Sequence, residues 1–259
     1  MFIDSHCHLD FPDFAGRIDQ VLADMRDHRV NHALCIGVNL EDWPGVIALA
    51  ETHPELWGTV GVHPDYEMAI EPDVDALVMR ARHPRVLAIG ECGLDYYRLS
   101  GDLGWQRERF RTHIRAAIAC GKPLVVHTRA AAEDTLAILK EEDAGRVGGV
   151  MHCFTETQTV AEAAMAMGFY ISFSGIVTFK NAHALKDVAR AVPLERMLIE
   201  TDAPYLAPTA HRGKTKQPSW VSHVAEAIAL LKGCTVDEVG QSTSANFMRL
   251  FGIPSGASA

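Results

Sequence analysis

Apolar residues in this chain gather into short continuous runs, separated by longer stretches where they recur every three or four positions. The runs are MFIDSH (1–6), HALCIG (32–37), WGTVGVH (57–63), VLAIGE (86–91), PLVVHT (123–128), GGVMHC (148–153), FYISFSG (169–175) and MLIETD (197–202). Most are rich in Val, Ile and Leu and lack clean alternation, which predicts strands buried on both faces. Between them, GRIDQVLADMRDHR (16–29), WQRERFRTHIRAAIACG (105–121) and TVAEAAMAMG (159–168) carry the spacing of amphipathic helices. Gly121 and Gly168 stand where left-handed helix caps belong, and Thr235 precedes Glu238 by three residues, a capping-box pattern.

Eight strands alternating with helices predict an α/β protein, a (β/α)8 TIM barrel in a single domain. An open doubly wound sheet is the competing architecture, but no glycine-rich phosphate loop follows the first run. No linker or low-complexity stretch divides the chain. Residues 1–253 are expected to form the barrel and 254–259, PSGASA, a flexible tail.

Composition narrows the class. The chain has 259 residues, a net charge of −9 and 48% hydrophobic residues, enough for one core that buries roughly three quarters of the unfolded surface. It lacks a basic-then-apolar leader and any run of about 18 apolar residues, so a cytoplasmic protein without membrane contact is expected. The six cysteines show no framework spacing and no CxxC, which predicts reduced thiols. The acidic balance argues against a nucleic-acid partner held by general surface charge.

The polar residues at the strand ends carry the chemistry. His6 and His8 close the first run, His63 the third, Glu91 the fourth, His127 the fifth, His152 the sixth and Asp202 the eighth. In a parallel barrel these ends share one rim, where the catalytic groups of the fold gather. His6 and His8 obey a period of two and share a face, whereas Cys7, Cys92 and Cys153 should point away as small buried hydrophobes. The remaining histidines (His28, His32, His53, His83, His113, His183 and His223) are expected in helices or loops without a role at the site. A polar cluster of this size without a metal would bury several charges at heavy desolvation cost. Its imidazoles and carboxylates exceed what one tetrahedral zinc needs and suit two divalent ions about 3.5–4 Å apart, bridged by a carboxylate. Nitrogen and oxygen ligation suits zinc, manganese, nickel or iron, and magnesium only at the more carboxylate-rich position. Two cations would also give an acidic protein a local field that attracts anions.

Nine segments in order, FIDSHCHLD, GVHP, IGECGLDYY, HTRAAAEDT, HCFTET, SFSGIVTFKNA, ETDAPYLAP, RGK and SANFMRLFG, together resemble the TatD family of metal-dependent hydrolases. That family belongs to the amidohydrolase superfamily of TIM barrels, and the likeness spans about residues 2 to 252. It implies two ions held by His6, His8, Glu91, His127, His152 and Asp202, with Glu91 as the bridge where related enzymes use a carbamylated lysine. It also implies phosphodiester substrates, because known members are deoxyribonucleases, some with 3′-to-5′ exonuclease action. One departure stands after the eighth run: RGKTKQPSW places Lys216 and Gln217 where the family carries an Asn-Glu pair, which bears on the pocket wall.

The expected reaction is two-metal hydrolysis of DNA. Asp202 serves as base for an acidified water, Glu91 as bridge, and His63 as hydrogen-bond partner of a phosphate oxygen or the leaving group. Arg129, two residues beyond His127, and Arg212 with Lys214 in the loop after the last strand are candidate phosphate contacts. Tyr205 is a candidate stacking platform for a base. An amide or ester hydrolase, such as an aminoacyl-ester deacylase, is the competing activity, since a Lewis acid polarises C=O and P=O alike. No obligate protein partner is evident, and a monomer is expected.

Overall fold

The strand-like runs pair in the order in which they occur. The computed structural model describes residues 1–206, 208–209 and 216–254. Its strands are β1 (Phe2–Cys7), β2 (Val30–Cys35), β3 (Leu56–Val60), β4 (Val86–Asp95), β5 (Leu124–Arg129), β6 (Gly149–Met151), β7 (Phe169–Phe173) and β8 (Met197–Ile199). They form one sheet in the order β1 to β8, every neighbouring pair parallel. The helices among the described residues are α1 (Ile18–Asp27), α2 (Trp43–Thr52), α3 (Val74–Ala81), α4 (Gly104–Cys120), α5 (Ala132–Glu141), α6 (Gln158–Ala166), α7 (His183–Ala191), α8 (Val221–Lys232) and α9 (Val236–Leu250). The protein is a (β/α)8 barrel.

The barrel closes through the segment just beyond β8. Cys7 bridges Ala203 in parallel, the Asp202 N–H donates to the His6 carbonyl at 2.9 Å, and the His8 N–H donates to the Ala203 carbonyl at 2.8 Å. Below this seam the buried Asp4 carboxylate accepts the Thr201 N–H at 2.8 Å and the Thr201 hydroxyl at 2.5 Å. Burial pushes the Asp4 carboxyl up to about 7 despite those donors. The seam thus joins the two chain segments that carry His6, His8 and Asp202.

Two apolar layers explain the fully buried strands. One lies between sheet and helices and includes Phe110, Ile114, Leu139 and Phe169. The other fills the barrel interior with Ile3, Leu34, Trp57, Val125, Val150 and Leu198, and Phe247 of α9 and Phe251 just after it join it. Gly240 lets α9 abut the start of β1, because a Cβ there would lie 2.6 Å from the Met1 carbonyl oxygen. The N-terminal end of the barrel is therefore plugged, and polar groups collect at the other end.

The helix signals hold at residue level. Gly121 caps α4 with φ of 68°, Gly168 follows α6 with φ of 88°, and Thr235 and Glu238 form the capping box of α9. Several boundaries move. β2 starts at Val30 and includes His32, which stacks on Trp57 at 4.5 Å instead of lying in a loop. β3 and β8 stop at Val60 and Ile199, so His63 and Asp202 sit in the following loops, whereas β4 runs on past Glu91 to Asp95. All six cysteines are thiols. Among the described residues no helix is long and apolar enough to cross a membrane.

Candidate metal centre

Glu91 stands at the middle of the open rim. It reaches there because β4 presses against its neighbours at two glycines with left-handed backbone, Gly90 (φ 145°) and Gly93 (φ 126°). A Cβ at Gly93 would lie 2.0 Å from the His127 carbonyl oxygen, and one at Gly90 would lie 2.5 Å from that of Val125. Only glycine tolerates both the conformation and the approach. Glu91 Oε2 faces His6 Nε2 at 3.2 Å, while Oε1 faces His63 Nε2 at 3.1 Å, His127 Nδ1 at 3.3 Å and His152 Nε2 at 2.8 Å. The two oxygens of one carboxylate thus serve opposite sides of the cluster. Asp202 completes the β1 side, its Oδ1 lying 3.4 Å from His8 Nε2 and 3.6 Å from His6 Nε2.

Two buried carboxylates stand behind the cluster. Asp95 Oδ2 lies 3.0 Å from His127 Nε2, and Glu200 Oε1 lies 3.2 Å from His152 Nδ1. When each outer ring nitrogen donates to its carboxylate, the inner nitrogen of a neutral ring is a bare lone pair. Those inner nitrogens, His127 Nδ1 and His152 Nε2, face each other at 3.4 Å with Glu91 between them. Lone pairs gathered around a carboxylate repel unless a cation or protons lie among them.

The ionisation pattern expresses the same demand for positive charge. Burial opposes the charge on Glu91, yet His152, His63 and His6 outweigh it and hold the carboxyl well below its ordinary range. Burial likewise pulls His152 down, but Glu91 and Glu200 push it well above its usual value. For His63, burial is outweighed by Glu91 and Asp65, which push the imidazole up to about 9. Among the described residues, Nδ1 of His6 and Nδ1 of His8 are buried without a hydrogen-bond partner. Among the described residues, three overlapping donor groups have ligating atoms within 4.8 Å of one another: His6, His152 and Asp202; His6, His8 and Glu91; His63, Glu91 and His127. This donor set fits divalent cations of intermediate hardness.

The cluster floors a cavity of about 640 Å³ whose rim carries Phe11, Tyr66, Arg98, Arg129 and Tyr205. Arg129 lies 4.0 Å above the ring of the exposed Tyr97, and Tyr205 is 55% exposed. Arg212 and Lys214 fall outside the described residues. Lys216, one of the two residues that depart from the family pattern, is wholly buried, its ammonium donating to the Leu206 carbonyl at 3.0 Å. Burial lowers its pKa, and it sits behind the cavity wall that Leu206 lines. Cys153 also departs from expectation. It lines the cavity because a φ of 42° breaks the strand alternation after His152. Its thiol donates to or accepts from Ser174 Oγ at 3.2 Å, and burial pushes its pKa well up.

Four residues at this site escaped the sequence reading: Asp95, Glu200, Asp65 and Arg98. Three had a usable signal, because Asp65 follows His63 by two, Glu200 precedes Asp202 by two and Asp95 follows Glu91 by four, all even spacings on an extended chain. Arg98 had none.

Comparison with known proteins agrees with the barrel fold. The family model described as TatD related DNase matches residues 3–252. The metal-dependent hydrolase YcfH of Escherichia coli K12 is 46% identical over 255 residues, covering 97% of this chain and 96% of its own. The 3′-5′ ssDNA/RNA exonuclease TatD of Erwinia tasmaniensis is 32% identical over 247 residues, covering 93% and 95%. The crystal structure of YjjV, a TatD homologue from E. coli K12, superposes with a TM-score of 0.89 at 29% identity, covering 98% of each chain.

Proposed function

This chain belongs to the TatD family of metal-dependent hydrolases, and from that premise we propose that it is a deoxyribonuclease trimming single-stranded DNA from the 3′ end. The observation that carries this is the pairing, in one cavity, of a nitrogen-and-oxygen donor cluster with guanidinium groups at its rim. Cationic forks suit phosphate better than the neutral carbonyl of an amide or ester. The printed activity of the Erwinia relative is consistent with it.

His6, His8, Glu91, His127, His152 and Asp202 would hold two divalent ions. Bound there, such ions supply an acidified water and positive charge opposite a phosphate. Asp202 takes the proton of the attacking water as its oxygen closes on phosphorus. The bond from phosphorus to O3′ breaks, and His63 gives a proton to that oxygen, leaving a 3′-hydroxyl and a 5′-nucleotide. Asp65 holds His63 Nδ1 in a short hydrogen bond, which directs Nε2 into the cavity. Arg129 engages the strand's phosphates and Tyr205 offers a ring face to a base.

The test uses metal-stripped protein reloaded with manganese, zinc or magnesium. End-labelled single- and double-stranded DNA are assayed beside a panel of esters and amides. Stepwise shortening from the 3′ end, lost on chelation and restored by metal, is the expected result. Turnover of esters or amides with the strands intact at every metal would reject the nuclease assignment.

A further inference from the structure

Arg98 and Arg129 flank the same side of the cavity, and each is held in place by a different device. The Asp95 carboxylate that backs His127 also accepts the N–H groups of Tyr97 and Arg98, both at 2.9 Å, and so fixes the turn after β4. Asp65 Oδ2 then takes Arg98 Nη1 at 2.6 Å while the Arg98 side chain stays 59% exposed. Tyr97, on the same turn, lies under the Arg129 guanidinium at 4.0 Å. Stacking on a ring leaves the N–H edges of a guanidinium pointing sideways, where they match phosphate oxygens. Asp65 and Asp95 offset the two charges, but the exposed N–H edges of both guanidiniums still face the cavity mouth as donors.

We propose that Arg98 and Arg129 form a second anion subsite, which holds the phosphate one nucleotide away from the bond being cut. This rests on the phosphodiesterase assignment above and extends it to a substrate class: strands carrying a neighbouring phosphate, rather than isolated esters. Arg98 lies two side chains out from Glu91, through Asp65 and His63. Its anchor is therefore shared with the imidazole that protonates the leaving oxygen. In a cut that releases a 5′-nucleotide, the neighbouring phosphate on the leaving side is the one this subsite takes.

A thymidine dinucleotide with a 5′-phosphate, compared with the same dinucleotide without it, isolates the subsite. In the wild-type protein the added phosphate is expected to lower KM roughly tenfold, as a charge-assisted contact should, with kcat little changed and the advantage fading as salt rises. In Arg98→Gln and in Arg129→Gln the KM ratio between the two substrates is expected to fall towards one. Arg98→Lys, which keeps the charge but not the fork, is expected to retain part of it. Equal KM values in the wild type, or a preference that survives both glutamine variants, would overturn the subsite while leaving the nuclease assignment intact. Failure to cleave either dinucleotide under metal conditions that cut longer strands would also overturn it. Failure to cut any strand would reject the nuclease assignment and the subsite together.

Discussion

The two halves of the donor cluster are held by different forces. Behind β5 and β6, Asp95 and Glu200 each take the outer nitrogen of an imidazole, fixing the tautomers of His127 and His152 before any ligand arrives. On the β1 side, among the described residues, Nδ1 of His6 and Nδ1 of His8 are buried with no carboxylate or other hydrogen-bond partner behind them. Those rings are set by the backbone seam with residues 202 and 203, by stacking of His6 on His152 at 3.8 Å, and by stacking of His8 on Phe11 at 4.7 Å. One half is ordered by hydrogen bonds to charge. The other is ordered by main-chain closure and ring contacts, so it depends more heavily on Asp202.

Removing that dependence gives the largest expected effect. Asp202→Asn keeps the seam, which uses the backbone N–H of Asp202, but deletes the charge facing His6 and His8. Turnover is expected to fall about 10²- to 10⁴-fold, the usual weight of a positioned base, with the circular dichroism spectrum and melting temperature close to wild type. A rate near wild type would remove Asp202 as the base. It would also show that the β1 half does not need its carboxylate.

The next effect lies outside the cluster, against the segment that carries His63, and reads out as stability. His113 of α4 is wholly buried, its Nε2 accepting the Val62 N–H at 2.9 Å and its Nδ1 donating to the Arg109 carbonyl at 2.8 Å. Burial, helped by the Arg109 charge, lowers its pKa to about 4, from an ordinary value of 6.5. Below that ordinary value the unfolded chain binds the proton and the folded one refuses it, so stability falls as pH drops from about 6.5 to about 4. The loss from this group reaches roughly 3 kcal/mol at the acid end. Urea unfolding across that window should show it. His113→Gln, though less stable near neutrality, should lose that part of the slope; an identical slope in both proteins would mean that His113 does not carry it.

Asp95→Asn and Glu200→Gln test the bracing itself. Each replaces a charged acceptor with an amide and frees the ring to change tautomer. Metal affinity, titrated calorimetrically on stripped protein, is expected to weaken about 10- to 100-fold in each. Asp95→Asn should show a further effect on KM because the Arg98 turn hangs on the same carboxylate. Unchanged affinity in both would reduce the contrast between the halves to appearance.

The sequence carried the barrel and the cluster because both follow short-range rules. Buried parallel strands read as apolar runs, and the first polar side chain at the C-terminal end of a run faces the open rim. Glu91 and His127 were legible for that reason. The bracing contacts were not: even spacing from Glu91 and Asp202 marks Asp95 and Glu200, but their partners lie 32 positions away at His127 and 48 away at His152. Only the sheet's register brings them together. The burial of Lys216 was not legible either: a lysine two residues after Lys214 carries no inward signal, but its backbone N–H pairs with the Pro204 carbonyl and its ammonium with that of Leu206. Cys153 misled because one left-handed residue breaks the alternation on which its assignment relied.

The smallest expected effect separates the two ways in which the β1 half could use an aromatic ring. Phe11 stacks on His8 with an interplanar angle of 24° and meets Tyr205 edge-on at 6.2 Å. A ring pair of this kind is worth about 0.5–1.5 kcal/mol beyond the area it buries. If Phe11 holds His8 in place of a carboxylate, Phe11→Ala weakens metal binding a few-fold, because His8 must then be ordered by the ion alone. Phe11→Leu, which restores apolar cover without the ring face, should not recover it. If Phe11 instead works with Tyr205 on a nucleobase, metal affinity stays put and KM rises. Calorimetry on the stripped protein and steady-state kinetics on the same variants distinguish the two. A loss of metal affinity in Phe11→Ala that Phe11→Leu fails to repair would place ring stacking beside the Asp95 and Glu200 hydrogen bonds as the second device that orders this centre.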